Sequence, residues 1–587
     1  MAVPPGPGCH GVSNRVSMMR RPRIERLAIA LNSRCSKDPC RTQYKSCLCA
    51  GMERFQLLRL LTRGHSSLSM AVSFTTVVLQ YLPIALVLSF VYAITLGIYR
   101  VYLSPLSHIP GPKLAAATRW YELYYDAYKV GKFYFEIEKM HEKYGPVVRI
   151  NPFEVHISDP TYYNELYNMK LRLHKDPWYY SWLYRPGSIF ATMNPDLHKL
   201  RSAPIKKGLS PTSISRVEHV LKEHLSRLML RIQEHKDRGQ LIHMTSAYRA
   251  LATDIVTDIS CPKSLHLLDK PGMGHEFHEA IANYTMFAIW NRQFTWIGPL
   301  LDSLPRWLVA LQGDVALGII DFLVGQEQQA EDVIKNDGKP IGTKSFPVIM
   351  NEVYKSPDIP PSQKTPRRLF EEIAILIAAG SETTSNSLLT TTYHVLANPE
   401  IRAKLQAELR TAFTAEETRG VLSYKQLEPL PYLTAVIHEG LRLATGVSGR
   451  LPRINKIAPT LYTNPSTHKT YTIPPNTPVS MTTRSMHYNA VCYPSPTTFL
   501  PTRFLGDEKK ESLKWFAPFG RGARSCVGQH LAMAEMYMVI GNLFARWDVR
   551  LGEGVDERDV DMAHECFAPF PEVGREGVLL VIDGDAR

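Results

Sequence analysis

The sequence predicts a mainly α-helical protein with a minor β region, preceded by a single transmembrane helix. Three observations carry that reading. An uncharged apolar run lies near the N-terminus, a long central stretch repeats apolar residues at helical spacing between Pro and Gly breaks, and strand-like segments are short and scattered. At 587 residues, with 44% hydrophobic and 21% charged, the chain is long enough to bury a large core.

The elements follow in chain order. Residues 1–69 hold 12 Lys/Arg against 3 Asp/Glu, so +9 of the net +13 lies there and only +4 remains for residues 70–587. A body so nearly balanced excludes nucleic-acid binding as the meaning of the high pI. Cys35, Cys40, Cys47 and Cys49 have irregular spacing and no His partners at zinc-finger distance, so the prefix reads as a basic, disordered extension. From Gly64 to Tyr99 there is no Asp, Glu, Lys or Arg, and Ala71–Tyr99 is long enough to cross a bilayer as a permanent anchor. Arginines flank both sides of it, which leaves its orientation ambiguous. A start at Met70 would remove that conflict and hold the C-terminal side in the cytosol through Arg100. Residues 1–69 are then an artefact of the assigned start or a dispensable extension.

Residues 100–113 form a Pro-rich hinge, SPLSHIPGPK, and 114–587 the folded body. Within it we expect a helical stretch over Arg119–Tyr144, strands in Val147–Ser158 with a turn at Asn151-Pro152, and helices from Pro195 to about Glu416. Short strands follow in Leu451–Val479, including Thr470–Ile473, with a β-rich tail at Val578–Ile582. No internal repeat is visible. Only Cys261, Cys492, Cys526 and Cys566 lie in the body, too scattered for a disulfide framework and suited to a reducing compartment.

Three constellations carry chemistry. The first is FGRGARSCVG, Phe519–Gly528. Gly520 and Gly522 allow tight turns and close backbone approach, and the amphipathic run after Cys526 places that thiol at a helix N-terminus, which favours thiolate. No CxxC or HxxxH accompanies it, so a zinc site lacks ligands. The second is LFEEIAILIAAGSETTSNSLLTTTYHVLANP. Thr365 as N-cap, Pro366 at the first position and Asn398-Pro399 at the end predict a helix over 366–397, about 48 Å long. Its apolar run is interrupted by Gly380, Ser381, Glu382, Thr383 and Thr384, although Gly inside a helix costs about 1 kcal/mol and hydroxyls compete for backbone carbonyls. The third is HEGLRLATGVSGRLPRI, where Glu439 and Arg442 are neighbours on one helix face.

FGRGARSCVG resembles the haem-binding loop of the cytochrome P-450 superfamily, F-x-x-G-x-R-x-C-x-G, with Phe519, Gly522, Arg524, Cys526 and Gly528 filling all five positions. The resemblance implies a haem b whose iron takes Cys526 as axial thiolate, a ligand that favours O–O cleavage, with Arg524 pairing a propionate. Ala379–Thr384 resembles the family's oxygen-activation motif. It implies that Gly380 makes room for dioxygen and that Glu382 and Thr383 help deliver protons. Glu439 and Arg442, joined by Arg503 of Pro501-Thr502-Arg503-Phe504, resemble the family's buried structural network, and Arg453 its second propionate arginine. In HKLRSAP the resemblance places His198 at the position of a propionate-contacting Trp and Ser202 at that of an Arg, with Arg201 as the substitute for the missing arginine.

The resemblance covers roughly 100–580 and implies the mainly α cytochrome P-450 fold and haem-dependent monooxygenation. With no dinucleotide loop or flavin module in the sequence, electrons are expected from a separate NADPH-cytochrome reductase docking on the Cys526 side. The expected setting is the endoplasmic reticulum membrane, with the body in the cytosol. Stretches such as YGPVVRINPFEVHISDP and GVSGRLPRI are similar to fungal enzymes of secondary metabolism of the trichodiene-oxygenase kind, which implies an apolar, terpenoid-like substrate. Aromatics in His174–Phe190 and Asn283–Trp296 are expected to line or gate the pocket. A haem-thiolate isomerase or dehydratase and a non-catalytic haem binder are the rival readings, and the Glu382-Thr383 pair argues against the first.

Overall fold

The computed structural model describes residues 80–586 apart from residues 312, 342, 343 and 345. The basic extension over 1–69 and the first residues of the expected anchor lie outside the described residues. The chain divides into a unit ending at Tyr92 and a body beginning at Ala93.

An apolar helix, α1 (Gln80–Leu103), runs for 24 residues at a mean hydropathy of 2.1 with none of its most apolar stretch buried. About 20 such residues span a bilayer, so α1 fits a single membrane anchor.

The body is mostly helical. Five of its helices position the site: α2 (Pro195–Gly208), α3 (Met244–Ser260), α4 (Pro366–Ala397), α5 (Pro431–Ala444) and α6 (Gln529–Arg546). α4 begins and ends where the sequence places it. Thr365 Oγ1 caps it by accepting from the Arg368 N–H at 3.3 Å, and Pro366 sits at the first position. α3, α5 and α6 all pack against α4. The largest hydrophobic core forms between them, from residues such as Tyr248, Leu251, Ile373, Leu388, Val436 and Phe544. Burial of this apolar surface is the main force holding the helices together.

The β region is small. Strands β1 (Val147–Arg149), β2 (Val155–Ile157), β3 (His174–Lys175), β4 (Arg453–Ile454) and β5 (Pro478–Ser480) form one sheet in the order β1-β2-β5-β4-β3. Only the β2–β5 pairing is parallel. Thr470–Ile473 pairs with Thr460–Thr463, and the tail strand Leu579–Asp585 pairs with Trp547–Leu551 and with Ile242–His243. The expected helix over Arg119–Tyr144 is broken into Trp120–Leu123, a π-turn at Tyr124–Tyr128, and Phe133–Tyr144. The break falls at Val130-Gly131, where the Gly131 carbonyl leaves helical bonding to accept from the Glu565 N–H at 2.9 Å.

Candidate active site

Cys526 lies on the loop leading into α6, three residues before the helix starts at Gln529. The loop is shaped by its glycines. Gly522 has φ +76°, and a Cβ there would meet the Tyr167 carbonyl oxygen at 2.3 Å, so the position excludes any side chain on two counts. The Cys526 N–H donates to the Phe519 carbonyl at 2.9 Å and closes the loop. Protein surrounds the thiol deeply enough that burial pushes it above its ordinary range, against the opposing pull of the Gly528 N–H. The residue is nonetheless exposed, so it opens onto accessible space instead of being packed over. Burial and the Gly528 N–H thus act on the thiol in opposite directions.

A second group of side chains points to what occupies that space. β3 and β4 place Lys175 directly opposite Arg453, a like-charge pairing that disfavours the sheet by itself. Both residues are buried, at 7% exposure each. Arg453 donates to Tyr180 Oη at 2.8 Å and to the Pro452 carbonyl at 3.0 Å, while Lys175 donates to the Phe190 carbonyl at 2.5 Å. Arg524 donates to the carbonyls of Thr192 (2.7 Å) and Met193 (3.0 Å). Among the described residues, no carboxylate accepts from any of the three. Burial first, then Arg453 and Arg524, pull Lys175 well below its usual range. Burial and Arg453 bring Arg524 down to about 10. His198, buried on α2 beside Arg524 and Lys175, is pulled down to about 2 and stays neutral. Three basic side chains with no carboxylate partner among the described residues, around one neutral imidazole, form a site for a ligand bearing closely spaced negative charges. The propionates of a haem, with Cys526 as the sulfur ligand, fit that donor set.

Arg201 does not join this cluster. Its guanidinium is bonded to Gln363 Oε1 and Thr192 Oγ1, both at 2.8 Å, and its charged neighbours are Arg368, Glu372 and Glu371. Ser202, where the arginine is missing, is buried and bonded within its own helix, and Arg201 shares with Arg524 only a bond to Thr192. Lys175 is the cation that the sequence reading missed. No local pattern ties it to Arg453; only the sheet register does.

α4 carries the residues expected to serve oxygen activation. Ala378 and Ala379 are exposed and Thr383 is partly so, although residues on either side of them along the helix are buried. Thr383 Oγ1 donates to the Ala379 carbonyl at 2.7 Å, which leaves its lone pairs to accept another proton donor. Glu382 forms an ion pair with Arg249 of α3 at 2.6 Å. Gly380 is also packed closely against α3. A Cβ there would meet Val256 Cγ2 at 3.0 Å, so its missing side chain makes room for α3, and the accessible face of the helix is at Ala378 and Ala379.

The network around Glu439 is assembled in full. Glu439 accepts from Arg442 at 2.8 Å with each oxygen and from Arg503 Nε at 3.0 Å, and all three residues are at most 3% exposed. The remaining guanidinium donors reach the carbonyls of His487, Pro494, Pro496 and Thr498. Of the aromatics expected to line the pocket, Tyr179, Tyr180 and Trp182 are at most 2% exposed and serve as packing, with Tyr180 also bonded to Arg453.

A loop presenting a thiol beside a cationic cluster, in a fold whose long central helix has an accessible Ala-Thr face, is what a haem-thiolate oxygenase would need. The Cytochrome P450 family's sequence profile matches residues 117–571. The chain is 37% identical over 523 residues to cytochrome P450 monooxygenase sdnE of Sordaria araneosa, covering 86% of this chain and 98% of that one. It is also 37% identical over 502 residues to N-acetyltryptophan 6-hydroxylase ivoC of Emericella nidulans, covering 84% and 96%. To tryptophan 6-hydroxylase fscE of Fusarium equiseti it is 34% identical over 510 residues, covering 85% and 97%. The chain belongs to the cytochrome P450 family of monooxygenases.

A haem held by Cys526 would supply dioxygen activation. What this chain's own residues do follows from their placement. Lys175, Arg453, Arg524 and Tyr180 would hold the propionates, and His198 offers a neutral hydrogen-bonding ring. The Phe519–Gly528 loop fixes the direction of the thiol, and Thr383 would offer a hydroxyl for passing a proton.

Proposed function

We propose that this chain is a membrane-anchored monooxygenase of the endoplasmic reticulum with its body in the cytosol. It draws electrons from an NADPH-dependent reductase. It hydroxylates or epoxidises a largely apolar small molecule of fungal secondary metabolism, with a terpenoid frame as the leading choice. The carrying observation is the accessible Ala378–Ala379 and Thr383 face of α4, with Glu382 held beside it by Arg249. An isomerase or a haem carrier would need no proton path there. An aromatic amino-acid derivative is a second reading, favoured by the two relatives named as tryptophan hydroxylases. Microsomes holding the chain and a reductase, given NADPH and an extract from a deletion strain, test the proposal. NADPH-dependent gain of one oxygen in a single metabolite is the expected result, and a product formed equally without NADPH would overturn it.

A further inference from the structure

The face of α4 that carries Ala379 and Thr383 continues toward the N-terminus through Ile375, Glu372 and Arg368. These positions are spaced 4, 4, 3 and 4 residues apart and so lie on one side of the helix. Arg368 is out of place there by every local rule. It lies in the first turn, where the helix dipole disfavours a cation, and it is only 5% exposed. Its Nη2 donates to Glu372 at 3.0 Å, but among the described residues its Nε and Nη1 have no partner. Glu372 accepts from Arg368 with one oxygen and from the Ile189 N–H at 2.9 Å with the other. Burial pushes Glu372 up to about 7, against the pull of Arg368, and Glu371 is the other carboxylate acting on the arginine.

The segment over Arg368 is built around it. Gly187 donates to Glu371 at 2.6 Å, and a Cβ at Gly187 would meet Arg368 Cγ at 3.2 Å. The same segment continues to Thr192 and Met193, whose carbonyls hold Arg524. One loop thus spans from the cationic cluster near Cys526 to Arg368. A buried cation with unused donors, set on the site's own helix face, is the arrangement that recognises an acceptor group on a ligand.

We propose that Arg368 is a specificity-determining residue that binds a carboxylate of the substrate. It selects an extended apolar acid whose reacting carbon lies at the far end from its acid group. At about 1.5 Å of rise per residue, Arg368 stands roughly 16 Å along the helix from Ala379, which sets the scale of that separation. This inference rests on the monooxygenase reading and names its substrate class. A terpenoid acid and an acylated aromatic amino acid both satisfy it, whereas an uncharged hydrocarbon does not.

The test is substrate binding to the purified holoenzyme, read from the shift of the haem Soret band without turnover. The probes are laurate, N-acetyltryptophan and abietate, each beside its methyl ester. At least one acid is expected to bind wild type roughly 10- to 100-fold more tightly than its ester, the range a charge-assisted hydrogen bond supplies. Arg368→Met should bring that pair to within about twofold, and Arg368→Lys should restore part of the preference. The double variant Arg368→Met with Glu372→Gln leaves no unpaired buried carboxylate, and so keeps the test open if the single variant misfolds. No acid preferred over its ester, or a preference that survives loss of Arg368, would overturn the proposal. The monooxygenase reading is judged separately by NADPH-dependent product, so the two can fail independently.

Discussion

Thr383 makes its functional claim through one atom. Its hydroxyl donates to its own helix at Ala379 and presents lone pairs to an accessible face. If it passes protons, Thr383→Ala should lower product formation by roughly 100-fold, the low end of what a positioned proton donor contributes. NADPH consumption should fall far less, the difference appearing as peroxide. Unchanged coupling of NADPH to product would remove the role. At this scale the sequence was a good guide to residues joined by local spacing. Phe519 to Gly528, Glu382-Thr383 and the Glu439-Arg442 pair are all short-range patterns, and each occupies a structured position. Lys175 and Arg368 could not be found that way. The first gains meaning only opposite Arg453 in a sheet, and the second only through the absence of partners, which a sequence does not display. Gly380 was legible as a glycine with a purpose, but whether its space serves a ligand or Val256 depends on how α3 crosses α4.

Among the elements, α4 and α5 hold the two arrangements most sensitive to charge. On α5, Glu439 binds two guanidiniums inside the fold. Glu439→Gln would leave both without a counter-charge, at a cost of about 3–5 kcal/mol. That is a large share of the total stability of a typical domain. Thermal unfolding should show a sharply lowered Tm and poor haem retention, whereas a Tm near wild type would mean the network is dispensable. On α4, the folded-state pKa of Glu372 is raised to about 7. Between the ordinary carboxylate range and pH 7 the folded protein keeps this proton while the unfolded chain releases it. Wild type therefore loses stability as pH rises through that window and no further above it. Glu372→Gln lacks this loss, so its Tm relative to wild type should improve by a few degrees between pH 4.5 and pH 8. A pH-independent difference would show that Arg368 keeps Glu372 ionised throughout. The ends of α4 were predictable because Thr365, Pro366 and Pro399 act locally. The break between Tyr128 and Phe133 was not, because its cause is a strand more than 400 residues away in the chain.

Over the whole molecule, helices packed around α4 leave the Cys526 thiol and an alanine-lined face of that helix accessible, and they hold Lys175, Arg453 and Arg524 without acidic partners among the described residues. None of these features stabilises the protein alone: burial disfavours the thiolate, the Lys175–Arg453 pairing is repulsive, and Arg368 opposes its helix dipole. Their common explanation is a bound anionic cofactor and an acceptor-bearing substrate that meet inside the fold. The helix order and the minor sheet were readable from apolar periodicity and Pro/Gly punctuation. The cationic cluster was only partly readable, since β3 contributes to it from a two-residue strand.

The central claim is that Cys526 is the sulfur ligand of a haem, and the optical spectrum of the dithionite-reduced protein under carbon monoxide tests it most directly. Wild type should show the strongly red-shifted Soret band of a thiolate-ligated haem, and Cys526→His should retain haem but lose that shift. A red-shifted band that persists in Cys526→His, or a wild type that never shows one, would contradict the account.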